Sequence, residues 1–145
     1  MMISNAIKGK RLLSIDFGMR RIGLAVCDEY HIAIRPVATL LNDENILLNL
    51  KQIIESERVG AVVIGVPVRN DDRNDELIAK INEFAEQIIT EFGLEIFRHD
   101  EFMSSKKASQ TLVEIGRKKS KRATKGELDK IAAAIILTEF ISENE

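Results

Sequence analysis

Apolar and polar positions alternate from Arg11 to Phe17 (RLLSIDF). Leu13, Ile15 and Phe17 fall on one face and Leu12, Ser14 and Asp16 on the other, which predicts a first strand. After Gly18 and Met-Arg-Arg, the run Ile22 to Cys27 (IGLAVC) predicts a second strand, and the short gap makes the pair an antiparallel hairpin. His31 to Leu40 reads as a third strand. Pro36 inside it has no N–H for a ladder hydrogen bond, which assigns this strand to an edge or an early end.

The period then changes. Ile46, Leu47, Leu50, Ile53 and Ile54 form one helical stripe, with Asn42 or Asp43 as the cap and Gly60 as the stop. Ala61 to Val66 (AVVIGV) is continuously apolar, as expected for a strand covered on both faces. Leu77, Ile78, Ile81, Phe84, Ala85, Ile88 and Ile89 recur with helical spacing up to Gly93, and Leu94 to Arg98 is the last short strand. Ser104 or Ser105 can cap a helix running to Ile115 and ending at Gly116; Glu127 to Ile141, rich in Ala and Ile, predicts the final helix. The order β-β-β-α-β-α-β-α-α predicts an α/β fold: a mixed five-stranded sheet, three strands antiparallel and two parallel, with helices on both faces, in a single domain over residues 1–145.

Composition narrows the class. Of 145 residues, 45% are hydrophobic and 30% charged, with two prolines and eight glycines, which excludes collagen-like, low-complexity and disordered chains. Cys27 is the sole cysteine and there are two histidines, so neither an internal disulfide nor a Cys/His zinc module can form. The longest apolar run, Ile131 to Leu137, is far below the ~20 residues a bilayer requires. The opening MMISNAIKGKR has no apolar core of a signal peptide, so the expected location is cytoplasmic, without a membrane partner. Net charge is −2, but Arg117 to Lys125 (RKKSKRATK) carries six bases in nine positions and no acid. Such a segment is either a solvated loop or a footprint for a polyanion.

Three acids stand out. Asp16 ends an apolar strand, where a carboxylate needs a cation nearby; pairing with Arg20 or Arg21, or capping the Gly18 turn, would account for it without any catalytic role. Glu101 lies in Arg98-His-Asp-Glu-Phe, just past the last strand, where ligands bind in open α/β sheets and where a helix N-terminus also favours an acid. Asp129 opens the final helix and shares a face with Ala132, Ala133, Ile136 and Phe140, small enough in part for close approach to the sheet. Together the three suggest a carboxylate cluster holding Mg²⁺ or Mn²⁺, suited to phosphoryl transfer, with the basic loop holding a nucleic-acid backbone. Cys27, His31 and His99 are expected in packing roles, with surface placement the alternative for the histidines, and Gly18 in a left-handed turn.

The run Asp16-Phe-Gly-Met-Arg-Arg-Ile-Gly-Leu-Ala-Val-Cys-Asp28 resembles the opening motif of the YqgF family, also called RuvX, the pre-16S rRNA nuclease family. Val63-Ile-Gly-Val-Pro67, Asp100-Glu-Phe-Met-Ser-Ser105 and Leu128-Asp-Lys-Ile-Ala-Ala-Ala-Ile-Ile-Leu137 follow in family order. The resemblance implies an RNase H-like fold similar to Holliday-junction resolvases. It also implies catalytic and metal-binding roles for Asp16, Glu101 and Asp129, and endonucleolytic cleavage in 5′-end maturation of small-subunit ribosomal RNA. Arg20, Arg21, Lys118, Lys119, Lys121, Arg122 and Lys125 are the expected contacts to precursor rRNA or branched DNA, in a monomer or weak homodimer. Two departures are visible: Phe102 stands where the family commonly has Arg, and Arg69-Asn-Asp-Asp-Arg73 replaces its usual N-M-D-G loop. Two competing readings are a nucleotide-binding module, disfavoured by the absence of any P-loop or G-x-G-x-x-G motif, and a non-catalytic ribosome-assembly factor.

Overall fold

The computed structural model describes residues 2–67, 75–100 and 125–144. Its elements are α1 (Met2–Ile7), β1 (Leu12–Phe17), β2 (Arg21–Cys27), β3 (Ile34–Leu41), α2 (Ile46–Ser56), β4 (Ala61–Val66), α3 (Asp75–Phe92), β5 (Glu95–Asp100) and α4 (Lys125–Asn144). The sheet order is β3-β2-β1-β4-β5. β1 pairs antiparallel with β2, and β2 with β3; β1 pairs parallel with β4, and β4 with β5. This is the mixed five-stranded sheet expected from the pattern. β3 lies at an edge, as Pro36 requires, and its register with β2 shifts between Leu24 and Ala25, beside Pro36.

Alternation along the strands divides the core. Leu13, Ile15, Ile22, Leu24, Val26, Val62 and Ile64 face α2 and α3, packing against Leu50, Ile81, Phe84 and Ile88. Leu12, Cys27, Ala61 and Val63 face the other way, against Ile136, Leu137, Phe140 and Ile141 of α4 and Ile7 of α1. Helices thus cover both faces. Cys27 is buried in this second cluster, a small core residue as expected.

Several boundaries differ from the sequence pattern. β3 starts at Ile34, not His31, because a tight turn precedes it: His31 takes φ 59°, its N–H bonds the Asp28 carbonyl, and the Ile32 N–H bonds Asp28 Oδ1. His31 is buried and donates from Nε2 to the Lys10 carbonyl at 2.8 Å. The α2 cap position is Asn45, not Asn42 or Asp43, and no side chain caps it; Asp43 instead organises the preceding turn by accepting the Asn45 N–H. Gly60 does not stop α2: Glu57 is its C-cap, and Arg58 turns the chain at φ 54°. Gly60 is instead pressed against Lys10, whose Cβ would lie 3.0 Å from an added Cβ. Gly93 ends α3 in the left-handed region at φ 64°, as expected. β5 runs on to Asp100, and α4 begins at Lys125, so Asp129 lies one turn inside it rather than at its start. α1 has no counterpart in the expected order, and the expected helix from Ser104 or Ser105 to Ile115 lies outside the described residues.

One charge network ties the C-terminus of α2 to the sheet. Arg11 Nε donates to the Glu57 carbonyl at 2.6 Å, and both Arg11 and Arg35 reach Glu57 Oε1. The Arg35 hydrogen bond, aided by the Arg11 charge, holds the Glu57 carboxyl below the usual glutamate range. Its folded pKa therefore lies below its unfolded value near ~4.3. The stabilisation is fully present above that value and is lost as pH falls through the folded pKa. Glu57→Gln is expected to lower stability by about 1 kcal/mol at neutral pH. Urea denaturation should show the gap to the native protein closing in acid; a gap unchanged in acid would mean that charge is not its origin.

Candidate active site

Alternation places Asp16 on the same face of β1 as Leu12 and Ser14, the face covered by α4. Its cross-strand partner on β2 is Gly23, and Gly23 in turn faces Thr39 on β3. Asp16, Gly23 and Thr39 therefore form one row across the sheet, at the end where β1, β4 and β5 finish.

The helix rests directly on this row. A Cβ at Gly23 would sit 2.1 Å from the Asp129 carbonyl oxygen and 2.8 Å from the Lys130 nitrogen, so only a glycine admits the helix backbone here. On one side, the Thr39 hydroxyl donates to the Gly126 carbonyl; on the other, Ser14 Oγ donates to the Ala133 carbonyl at 2.6 Å. Positions 126, 129 and 133 make one helical stripe, so β3, β2 and β1 each grip the same edge of α4. Close approach was expected from Ala132 and Ala133. Ala133 is fully buried, but the closest approach is made by Gly23, whose place inside an apolar strand was the available signal.

This seating brings Asp129 beside the row that carries Asp16. Arg21, two residues before Gly23 and on its face, donates from Nε to Asp129 Oδ2 at 2.9 Å, with both side chains about one-third exposed. The guanidinium orients the Asp129 carboxylate and balances its charge. Arg21 is thus partly engaged within the protein, whereas Arg20 is exposed. The link between β1 and β2 is fixed by Asn42, whose backbone N–H bonds the Arg20 carbonyl and whose Nδ2 bonds the Gly18 carbonyl at 2.9 Å. Gly18 is not left-handed, contrary to expectation; glycine is needed there because a Cβ would lie 2.5 Å from the Arg21 carbonyl oxygen.

The structure thus seats the Asp129 backbone on Gly23, the cross-strand partner of Asp16, and pairs the Asp129 carboxylate with Arg21. Glu101, Lys118, Lys119, Lys121 and Arg122 lie outside the described residues, as do Phe102 and the 69–73 loop; Lys125 opens α4, with its side chain not described. Glu101 directly follows Asp100, the last residue of β5. Asp16 and Asp129 offer only hard oxygen donors at a solvent-reachable strand end, a donor set that fits Mg²⁺ or Mn²⁺.

Comparison with known proteins agrees with this architecture. A family model described as RuvX, Holliday junction resolvase, matches residues 10–143. A relative from Amoebophilus asiaticus, named as a pre-16S rRNA nuclease, is 38% identical over 133 residues, 91% of this chain and 94% of its own length. One from Chlorobium luteolum, of the same name, is 35% identical over 135 residues, 92% of this chain and 95% of its own. Among solved structures, Thermus thermophilus RuvC in complex with a Holliday junction substrate superposes with a TM-score of 0.62 at 15% identity, covering 92% of this chain and 95% of that one. The fowlpox virus Holliday junction resolvase gives 0.54 at 14% identity, covering 93% and 99%. The fold is therefore RNase H-like, of the RuvC type. No helix among the described residues is long and apolar enough to cross a membrane.

The seat at Gly23 makes a direct prediction. Gly23→Ala should push α4 off the sheet and cost about 2–3 kcal/mol, the upper part of the usual overpacking range. Thermal denaturation together with faster amide exchange in the first half of α4 would register it; a native-like melting temperature would show that the helix does not rest on this glycine.

Proposed function

The chain belongs to the RuvX family, and from that membership and the strand-end geometry we propose that it is a metal-dependent endonuclease of precursor 16S rRNA, acting in 5′-end maturation. The observation that carries this reading is the placement of Asp129, by way of Gly23, beside the cross-strand row of Asp16, in a chain of which 91% aligns with a relative named for that activity. The whole of 1–145 would act as one nuclease domain in the cytoplasm, as a monomer or weak homodimer.

Asp16, Asp129 and Glu101 would hold one or two Mg²⁺ or Mn²⁺ ions. When bound, such an ion would supply Lewis acidity toward water and the scissile phosphodiester. The protein's own groups do the rest. Arg21 keeps the Asp129 carboxylate in position, so that the acids need not reorganise when substrate arrives. Arg20, exposed beside them, can pair with a phosphate, and the bases of 117–125 would track the backbone without reading sequence. Water is the nucleophile, and no side chain forms a covalent bond to substrate.

A second reading, cleavage of branched DNA, has specific support: the matching family model is described as Holliday junction resolvase, and a RuvC neighbour was solved on a Holliday junction. Both substrates present the same phosphodiester, so the acids would serve either.

With Mg²⁺ or Mn²⁺, the native protein is expected to cleave precursor 16S rRNA, and Asp16→Asn and Asp129→Asn to lose at least ~100-fold in rate while still binding the RNA. Full activity in Asp16→Asn would overturn the assigned mechanism. Cleavage of a four-way DNA junction with intact precursor rRNA would move the function to the second reading.

A further inference from the structure

Beyond the acids at the β1 end, α4 carries a second group of ligand-type side chains. Past Ala133 the helix continues across the sheet to β5, where Phe140 packs on Phe97 with ring centroids 5.7 Å apart. There Glu139 and Glu143, one turn apart on α4, converge on His99 of β5. One ligand-type atom from each lies within 4.8 Å of the others.

The state of His99 points to a ligand. Its side chain is only 3% exposed, and its Nε2 is buried with no hydrogen-bond partner among the described residues. A buried imidazole nitrogen left this way is costly and uncommon. Glu139 Oε2 lies 3.9 Å from Nε2, and Glu143 Oε2 lies 3.6 Å from Nδ1. Both separations are too long for hydrogen bonds. The Glu139 separation is near the ~3.4 Å edge of a tetrahedron with ~2.1 Å metal bonds, and a Glu143 oxygen lies within 4.8 Å of the other two ligand-type atoms. The Phe140 ring, edge-on to the imidazole at 6.3 Å between centroids, walls the inner side, while Glu143 is 53% exposed and leaves an entry from solvent.

We propose that His99, Glu139 and Glu143 form a divalent transition-metal site that takes Zn²⁺, with one His99 ring nitrogen and one oxygen from each glutamate as ligands and water completing the tetrahedron. One nitrogen and two carboxylates suit Zn²⁺ and disfavour Mg²⁺, which demands octahedral oxygen donors. The site is separate from the pair at the β1 end. His99 stands two strands from Asp16, with β4 between, about 10 Å at ordinary strand spacing. It would clamp the second half of α4 to the edge strand β5, whose end leads into Glu101. It stands whether or not the nuclease reading holds.

The test uses the full chain and Zn²⁺ alone. The protein has two histidines, so imidazole ¹⁵N resonances of His99 can be followed against His31 as an internal reference. One equivalent of Zn²⁺ should shift the His99 nitrogens and leave those of His31 unchanged. Glu143→Gln, at a half-exposed position that folding tolerates, should weaken Zn²⁺ binding at least ~10-fold by titration calorimetry, while Asp16→Asn should retain the His99 shift. Unmoved His99 resonances, or equal Zn²⁺ affinity in native protein and Glu143→Gln, would overturn the site.

Discussion

The backbone of α4 lies against a bare Cα, and the site face of the molecule depends on that contact. With no side chain at Gly23, the helix backbone comes close enough for Ser14 and Thr39 to bond its carbonyls directly. Those carbonyls are already acceptors within the helix, so the extra bonds add modest energy. Their larger effect is on register: three strands hold positions 126, 129 and 133, and the rotation of α4 about its axis is fixed. Once that rotation is set, Asp129 must lie beside the Asp16 row, and Glu139 and Glu143 must lie over β5.

The opposite face of the sheet is built differently. Large aliphatic side chains from β1, β2 and β4 meet the apolar stripes of α2 and α3, with polar contacts at the margins, from Arg11 and Arg35 to Glu57 and from Arg98 to Asn82. Hydrophobic burial there is non-directional and tolerates repacking. The α4 face exchanges some of that tolerance for placement, with serine, threonine and glycine at positions where an aliphatic residue would bury more area. On the proposed reading, acids from distant parts of the chain must meet at one point, and polar contacts of defined direction achieve what a greasy interface cannot.

Curated relatives at 35% and 38% identity, and resolvase structures at 14% and 15%, share one architecture with this chain across widely different sequences. What such a range can preserve is the alternation of strands, the order of elements and a few close contacts, rather than individual core side chains. In this chain β4 is continuous in apolar residues because both its faces are covered.

Strand periodicity, the helical stripes of α2 and α3 and the Gly93 stop were legible because each rests on neighbours within a few residues. Asp16 and Asp129 could likewise be singled out locally, one as an acid ending an apolar strand and the other by its position near the start of a helix. Local signals failed where distant segments decide: Arg58 rather than Gly60 turns the chain after α2, and Gly18 serves a steric contact rather than a left-handed turn. The contact of Gly23 with Asp129, the Arg21–Asp129 pair and the meeting of His99 with Glu139 and Glu143 join residues that no spacing rule relates. Sequence alone determined which faces are apolar and in what order the elements come, since backbone geometry and burial follow from adjacent residues. Only the tertiary structure decided which polar groups meet, because that depends on how one helix lies across five strands.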